Sequence, residues 1–186
     1  MKIKRQVMTG EGIDLALSRI AAEVLESHQG QLDNLAIIGI RRRGVFLGQR
    51  LAQRIEAAAK RTILTGILDI TLYRDDLTTI STWPLLRETL IEFSIEGKSL
   101  ILVDDVLYTG RTIRAALDGL IDMGRPRRVQ LAVLVDRGHR ELPIQAEYVG
   151  RFVETSDDEI VEVRLAELDN EERVVVVEQK KAGDDA

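Results

Sequence analysis

Apolar residues recur along this chain with two different periods, and the alternation between them is regular. Between positions 11 and 28, Ile13, Leu15, Leu17, Ile20, Ala21, Val24 and Leu25 fall at helical spacing. Leu35-Ala36-Ile37-Ile38-Gly39-Ile40 then reads as a buried strand. A polar turn, Arg41-Arg42-Arg43-Gly44, leads into a second helix over 45–59. Residues 62–73 carry β-branched side chains and read as a strand. Residues 74–88 are polar, with a Pro84 breaker, and read as a flexible lid hairpin whose return strand is 89–95. Gly97-Lys98 turns into a central strand at 99–103, and a helix follows over 111–123. Gly124 and Pro126 end that helix. Another buried strand spans 129–135, a loop spans 136–143, and short strands are expected at 147–149, 160–165 and 174–178. Strands alternating with helices predict an α/β fold, a mainly parallel twisted sheet with helices on both faces. Ligands of such sheets bind at the carboxyl ends of the strands. Two charged turns, 41–44 and 104–112, are placed there.

The second of these turns carries the most chemistry. The apolar run 100–103 ends in adjacent acids, Asp104 and Asp105. Tyr108-Thr109-Gly110-Arg111-Thr112 follows and opens a helix. Two carboxylates at a strand end suit the vicinal hydroxyls of a ribose. A Thr/Gly turn at a helix start suits a phosphate, because unbonded N–H groups, hydroxyls and the helix dipole all converge there. The two devices are a few residues apart, so one phosphorylated sugar can span them. Adjacent acids with no ligand or cation would repel each other.

Composition narrows the rest. A chain of 186 residues is expected to form one domain with a full core. It has no cysteine and only His28 and His139, which argues against disulfides, thiolate metal sites and a histidine zinc site. No apolar run is long enough to cross a bilayer, and the N-terminus lacks a signal-peptide core, so a cytoplasmic location without membrane partners is expected. The net charge of −5 argues against a nucleic-acid-binding face over the whole surface, although Arg41–Arg43 and Arg125, Arg127 and Arg128 form local basic clusters. Residues 180–186 are charged and small and read as a frayed tail.

The spacing of apolar run, two acids and TGxT resembles the signature of type I phosphoribosyltransferases, which bind phosphoribosyl pyrophosphate (PRPP). Longer strings sharpen this. LDITLYRDDL at 68–77, LVDDVLYTGRT at 102–112 and LAVLVDRGHRELPI at 131–144 resemble the bifunctional pyrimidine operon regulators and uracil phosphoribosyltransferases over residues 12–165. That resemblance implies a type I phosphoribosyltransferase fold with a small hood built partly from residues 144–178. It implies conversion of PRPP and uracil to UMP and pyrophosphate, with Mg²⁺ carried by PRPP and no direct protein ligand. It places Asp104 and Asp105 as catalytic carboxylates. It places Val106, Leu107, Tyr108, Thr109, Gly110, Arg111 and Thr112 around the 5′-phosphate. Arg41, Arg42 and Arg74 fall on the pyrophosphate side, and Arg137 and Val161 fall on the nucleotide. Tyr108 disfavours a purine, since purine-type relatives carry an acid nearby. His139 reads as a structural loop residue. The resemblance also implies a homodimer or higher homo-oligomer and a pyrimidine operon leader RNA as a partner. Against that partner stand Glu154, Asp157, Asp158 and Glu159, because acids repel RNA phosphates. Two alternative functions stay open: a UMP-dependent RNA-binding attenuation regulator with weak catalysis, and another PRPP-dependent base transferase.

Overall fold

Five parallel strands form the main sheet of the computed structural model, which describes residues 2–73 and 89–178. In chain order the elements are β1 (Ile3–Thr9), α1 (Gly10–Ser27), β2 (Leu35–Ile40), α2 (Arg43–Ala59), β3 (Leu64–Leu68), β4 (Ser99–Leu107), α3 (Arg111–Met123), β5 (Arg128–Asp136), β6 (Tyr148–Phe152), β7 (Glu159–Arg164), α4 (Ala166–Asp169) and β8 (Arg173–Glu178). The sheet order is β3-β2-β4-β5-β6, and every neighbouring pair is parallel. The lid hairpin expected at 74–88, including Arg74, and the tail at 180–186 lie outside the described residues.

The two-residue period of the strands explains the layering. Leu35, Ile37, Ile101, Val103, Ala132 and Leu134 face α1 and α2 and join one hydrophobic core. Ala36, Ile38, Ile40, Leu100, Leu102 and Val133 face the other way and pack on Ile113, Ala116 and Leu120 of α3. Both faces are therefore buried, which is why these strands read as unbroken apolar runs. Helix α1 begins where Thr9 accepts the Gly12 N–H on its side-chain oxygen at 3.2 Å.

A second sheet, with order β1-β8-β7, is antiparallel and forms the hood. Its β8 is an almost pure valine run, fully buried from Val174 to Val177. Strand β1 gives no signal in the sequence, because Lys2-Ile3-Lys4-Arg5-Gln6 is mostly exposed and is held by pairing with β8. Strand β6 falls inside the range expected to contribute to the hood but pairs with β5 in the main sheet. The hood thus takes β7, α4 and β8 from that range and its remaining strand from the N-terminus.

Three boundaries differ in ways that bear on function. The central strand does not stop at Val103 but runs to Leu107, because β5 continues beside it through Val106↔Val135 and Leu107↔Asp136. Strand β3 ends at Leu68, short of the expected 73, where Asp69 turns the chain into a single 3₁₀ turn, Thr71–Tyr73. The return strand expected at 89–95 reduces to one antiparallel bridge, Leu90 to Ile67.

Candidate active site

Strand β4 outlasts its neighbour β2. Pairing with β2 ends at Gly39↔Val103, so beyond that point β4 has a partner only on its β5 side. Asp104 and Asp105 lie on this projecting stretch, Asp104 at 6% exposure and Asp105 half-buried. The backbone N–H of Asp105 donates to Asp104 Oδ1 at 3.0 Å. Burial pushes the Asp105 carboxyl above the ordinary carboxylate range, while its contact with Asp104 and the charge of Arg43 oppose the rise.

The arginine turn is pressed against these acids by two glycines. A Cβ on Gly44 would stand 2.3 Å from the Val103 carbonyl oxygen and 3.2 Å from Asp104 Cα. A Cβ on Gly39 would stand 2.5 Å from Val45 Cα. Only a residue without a side chain lets the start of α2 touch both strand ends. Helix α2 accordingly begins at Arg43, two residues before the expected start. The Arg41–Arg42 peptide is cis. The Arg41 N–H donates to Leu68 O at 3.0 Å, and Arg41 Nε lies 3.6 Å from Asp69 Oδ2. Arg42 is exposed. Arg43 reaches the hood, donating to both Asp169 oxygens at 2.8 and 3.1 Å.

After β4, the chain enters α3 through Gly110, whose φ of 92° is left-handed and suits glycine. The Arg111 N–H points at Thr109 Oγ1, 3.4 Å away, so the turn 109–112 gathers hydroxyls and the first amides of a helix into one concave end. The 136–144 loop braces it from below. Glu141 N and Leu142 N donate to Thr109 O at 3.0 and 3.1 Å. Arg111 Nε donates to Glu141 at 2.7 Å. Arg140 is the centre of the brace. It donates to the carbonyls of Ile144 (3.0 Å), Tyr108 (2.8 Å) and Gly138 (3.0 Å) and to the Asp136 carboxylate. Nothing in the sequence reading singled out Arg140. The signal was the interleaving of Arg137, Arg140, Asp136 and Glu141 within one short loop.

Arg137 is 6% exposed and sits between Tyr108 and the 155–156 segment that leads to β7. Its guanidinium lies 4.1 Å from the Tyr108 ring centroid and donates to Thr155 Oγ1 at 3.1 Å and Ser156 O at 3.3 Å. Its acid neighbour Glu141 is engaged by Arg111 instead. His139 Nε2 donates to Thr155 O at 2.7 Å, and Nδ1 lies 3.1 Å from Asp157, which fits a loop-bracing role. Val161 is in β7, 7% exposed and paired with Val176. Strand β7 is an edge of the hood and approaches β4. The expected residues of β2, β4, the 109–112 turn, the 136–144 loop and β7 therefore gather at one end of the main sheet, and Arg74 alone among them lies outside the described residues. Among those residues no cluster of three or more histidine, cysteine or acidic side chains is arranged to hold a metal ion, and no helix is long and apolar enough to cross a membrane.

Paired acids and a helix-opening turn stand at the carboxyl end of a doubly covered parallel sheet with a small antiparallel hood beside it, and the phosphoribosyl transferase domain profile matches residues 6–171, so the chain belongs to that family. Within it, this chain belongs to the family of bifunctional PyrR proteins. It is 58% identical to the bifunctional protein PyrR of Pelotomaculum thermopropionicum, over 94% of this chain and 96% of the relative. It is 53% identical to that of Thermus aquaticus, over 98% and 100%. Among solved structures it resembles a hypoxanthine-guanine phosphoribosyltransferase from Bacillus anthracis with a TM-score of 0.72 at 20% identity, covering 95% of this chain and 99% of that one. A hypoxanthine phosphoribosyltransferase from Staphylococcus aureus gives a TM-score of 0.67 at 21% identity, covering 96% and 94%. At such identities the structures establish the fold alone.

Proposed function

We propose that this chain transfers the ribosyl phosphate of PRPP to uracil, giving UMP and pyrophosphate, and that UMP bound in the same site governs a role in regulating pyrimidine genes. The observation that carries this is the packing of Gly44 onto Val103 and Asp104, which sets the arginine turn beside the acids and the 109–112 cradle. One end of PRPP, its 5′-phosphate, binds in the cradle. Asp104 and Asp105 accept the ribose hydroxyls. Arg41 and Arg42 meet the pyrophosphate, as always-charged forked donors. Uracil N1 attacks the anomeric carbon as the bond to the pyrophosphate oxygen breaks, and the N1 proton passes to solvent. Charge on the sugar grows in the transition state, and the carboxylate pair stabilises it from below.

Mg²⁺ fits as a passenger of the substrate. The acids offer oxygen ligands but no closed cage, and Mg²⁺ prefers to keep its waters and ride on phosphates. Bound there, it would neutralise the departing pyrophosphate. Uracil selection falls to the unpaired edge of β7 around Val161, where backbone donors and acceptors are fixed in place, and to Arg137 behind Tyr108. Regulation would engage the leader RNA of a pyrimidine operon, bound weakly because of the acidic 154–159 stretch, and the assembly is a homodimer or a larger homo-oligomer.

A panel of free bases with PRPP and Mg²⁺ tests the reading. UMP formed from uracil, with no product from hypoxanthine, guanine or orotate, is the expected result. Transfer to a purine in preference to uracil would replace this function with a purine one.

A further inference from the structure

We infer that Asp69 is a positioning residue for the pyrophosphate side of this site, aiming Arg41 at the ligand; the inference rests on the function just proposed and names a residue it lacks. Asp69 follows the last residue of β3, at the same end of the sheet as the acids. Its side chain is 8% exposed and tightly located. Oδ1 accepts from Thr71 N at 2.9 Å and Thr71 Oγ1 at 2.5 Å. Its backbone N–H donates to Thr89 Oγ1 at 3.1 Å. Oδ2 is buried, makes no hydrogen bond, and points to Arg41 Nε at 3.6 Å.

A buried carboxylate oxygen without a hydrogen bond is costly, and native structures keep few of them. Here its neighbour is the arginine of the turn that faces pyrophosphate. The contrast with Arg43 is informative. That side chain donates through one terminal nitrogen to both Asp169 oxygens at 2.8 and 3.1 Å, and Asp169 also accepts from Leu165 N at 2.9 Å, so both carboxylate oxygens of Asp169 are hydrogen-bonded whereas Oδ2 of Asp69 is not. The Arg41–Asp69 pair is a few tenths of an ångström too long for a hydrogen bond. Asp69 engages the Nε edge of the guanidinium, and the terminal nitrogens are the edge that phosphate oxygens prefer in a forked contact. Arg41 is also anchored at its backbone by Leu68 O, one residue before Asp69. A small inward shift of the guanidinium on binding would complete the Asp69 contact and the phosphate contact together.

The test is calorimetry of three ligands with Mg²⁺ present: pyrophosphate, PRPP and UMP. UMP lacks the pyrophosphate group and serves as the internal reference. Asp69→Asn keeps an oxygen for Thr71 while removing the charge. It is expected to weaken pyrophosphate and PRPP by about tenfold to a hundredfold and to leave UMP within about twofold. Arg41→Met should do the same, and the double variant should bind pyrophosphate no more weakly than Arg41→Met alone. Arg41→Lys keeps the charge without the Nε edge and should also lose pyrophosphate affinity selectively, which covers the case of an unstable Asp69→Asn. Equal weakening of pyrophosphate and UMP would mean a merely structural Asp69 and overturn the inference. So would unchanged pyrophosphate binding in Asp69→Asn or in Arg41→Lys. An unaltered protein that binds pyrophosphate and PRPP yet makes no UMP would sink the proposed function alone. One that binds neither ligand overturns both.

Discussion

Asp104 and Asp105 are neighbours in sequence with different surroundings. Asp104 is buried beside the Gly44 contact, whereas Asp105 is half-buried and feels both Asp104 and Arg43. A carboxylate that acts on a developing cation should count most in the transition state. Asp105→Asn is therefore expected to lower kcat by about a hundredfold with a change in KM for PRPP of less than about threefold. Steady-state kinetics at saturating uracil check this, and a raised KM with unchanged kcat would assign the residue to ground-state binding. Thr112→Ala should show the reverse balance, with a higher KM and nearly intact kcat. At the far end of the sheet, His28 is 1% exposed; Nδ1 faces Val24 O at 2.9 Å and Nε2 accepts from Arg128 at 2.8 Å. Burial, with the Arg128 charge, holds its pKa below the ordinary 6.5. The unfolded chain therefore binds a proton at a higher pH than the folded one, and stability falls as pH drops below 6.5 toward the folded value. Thermal melts across that window should show the loss, and His28→Gln should flatten it.

At the level of elements, the hood is fastened to α2 by charge as well as by valines. Arg50 donates to Glu172 at 2.6 Å and to Glu167 at 2.8 Å, and all three side chains are less than a third exposed. Arg50→Ala should destabilise by about 1–2 kcal/mol, between exposed and buried ion pairs. The Arg50 hydrogen bond also holds Glu172 below its ordinary 4.5. That contribution is complete above 4.5 and disappears as pH falls through the lowered value, so Arg50→Ala should lose part of the acid limb of the melting curve. The same elements show what was legible beforehand. Strands buried on both faces, helices α1 and α3, and the acid–TGxT turn were all written in local pattern. Strand β1 was not, because Lys4 and Arg5 are exposed and only the distant β8 makes that segment a strand. Nor was the length of β4, set by β5 beside it. The Asp69–Arg41 and Arg43–Asp169 contacts join positions far apart in sequence, and periodicity carries no information about them.

The whole molecule bears a net charge of −5, and that charge has a consequence for a polyanionic partner. Basic groups near the 149–159 region are already engaged: Arg19 with Glu23, Val149 O and Gly150 O, Arg151 with Val7 O, and Lys4 with Glu159. Glu154, Asp157 and Asp158 are exposed alongside them. Leader-RNA binding is expected to be weak, with a shallow dependence on salt, and to strengthen in Asp157→Lys combined with Asp158→Ser. Filter binding across a salt series with UMP present checks this, and tight binding by the unaltered protein at moderate salt would contradict it.

The double burial of the main sheet has a further effect. Most apolar residues that hold the fold together lie between the layers, while the paired acids, the arginine turn and the 109–112 turn stand at the carboxyl rim of the sheet. Mutations at the rim therefore draw little on folding stability, and mutations in the layers leave the choice of substrate alone. The likeness in fold to a hypoxanthine-guanine phosphoribosyltransferase at 20% identity shows that the layered scaffold persists when about four-fifths of the residues differ.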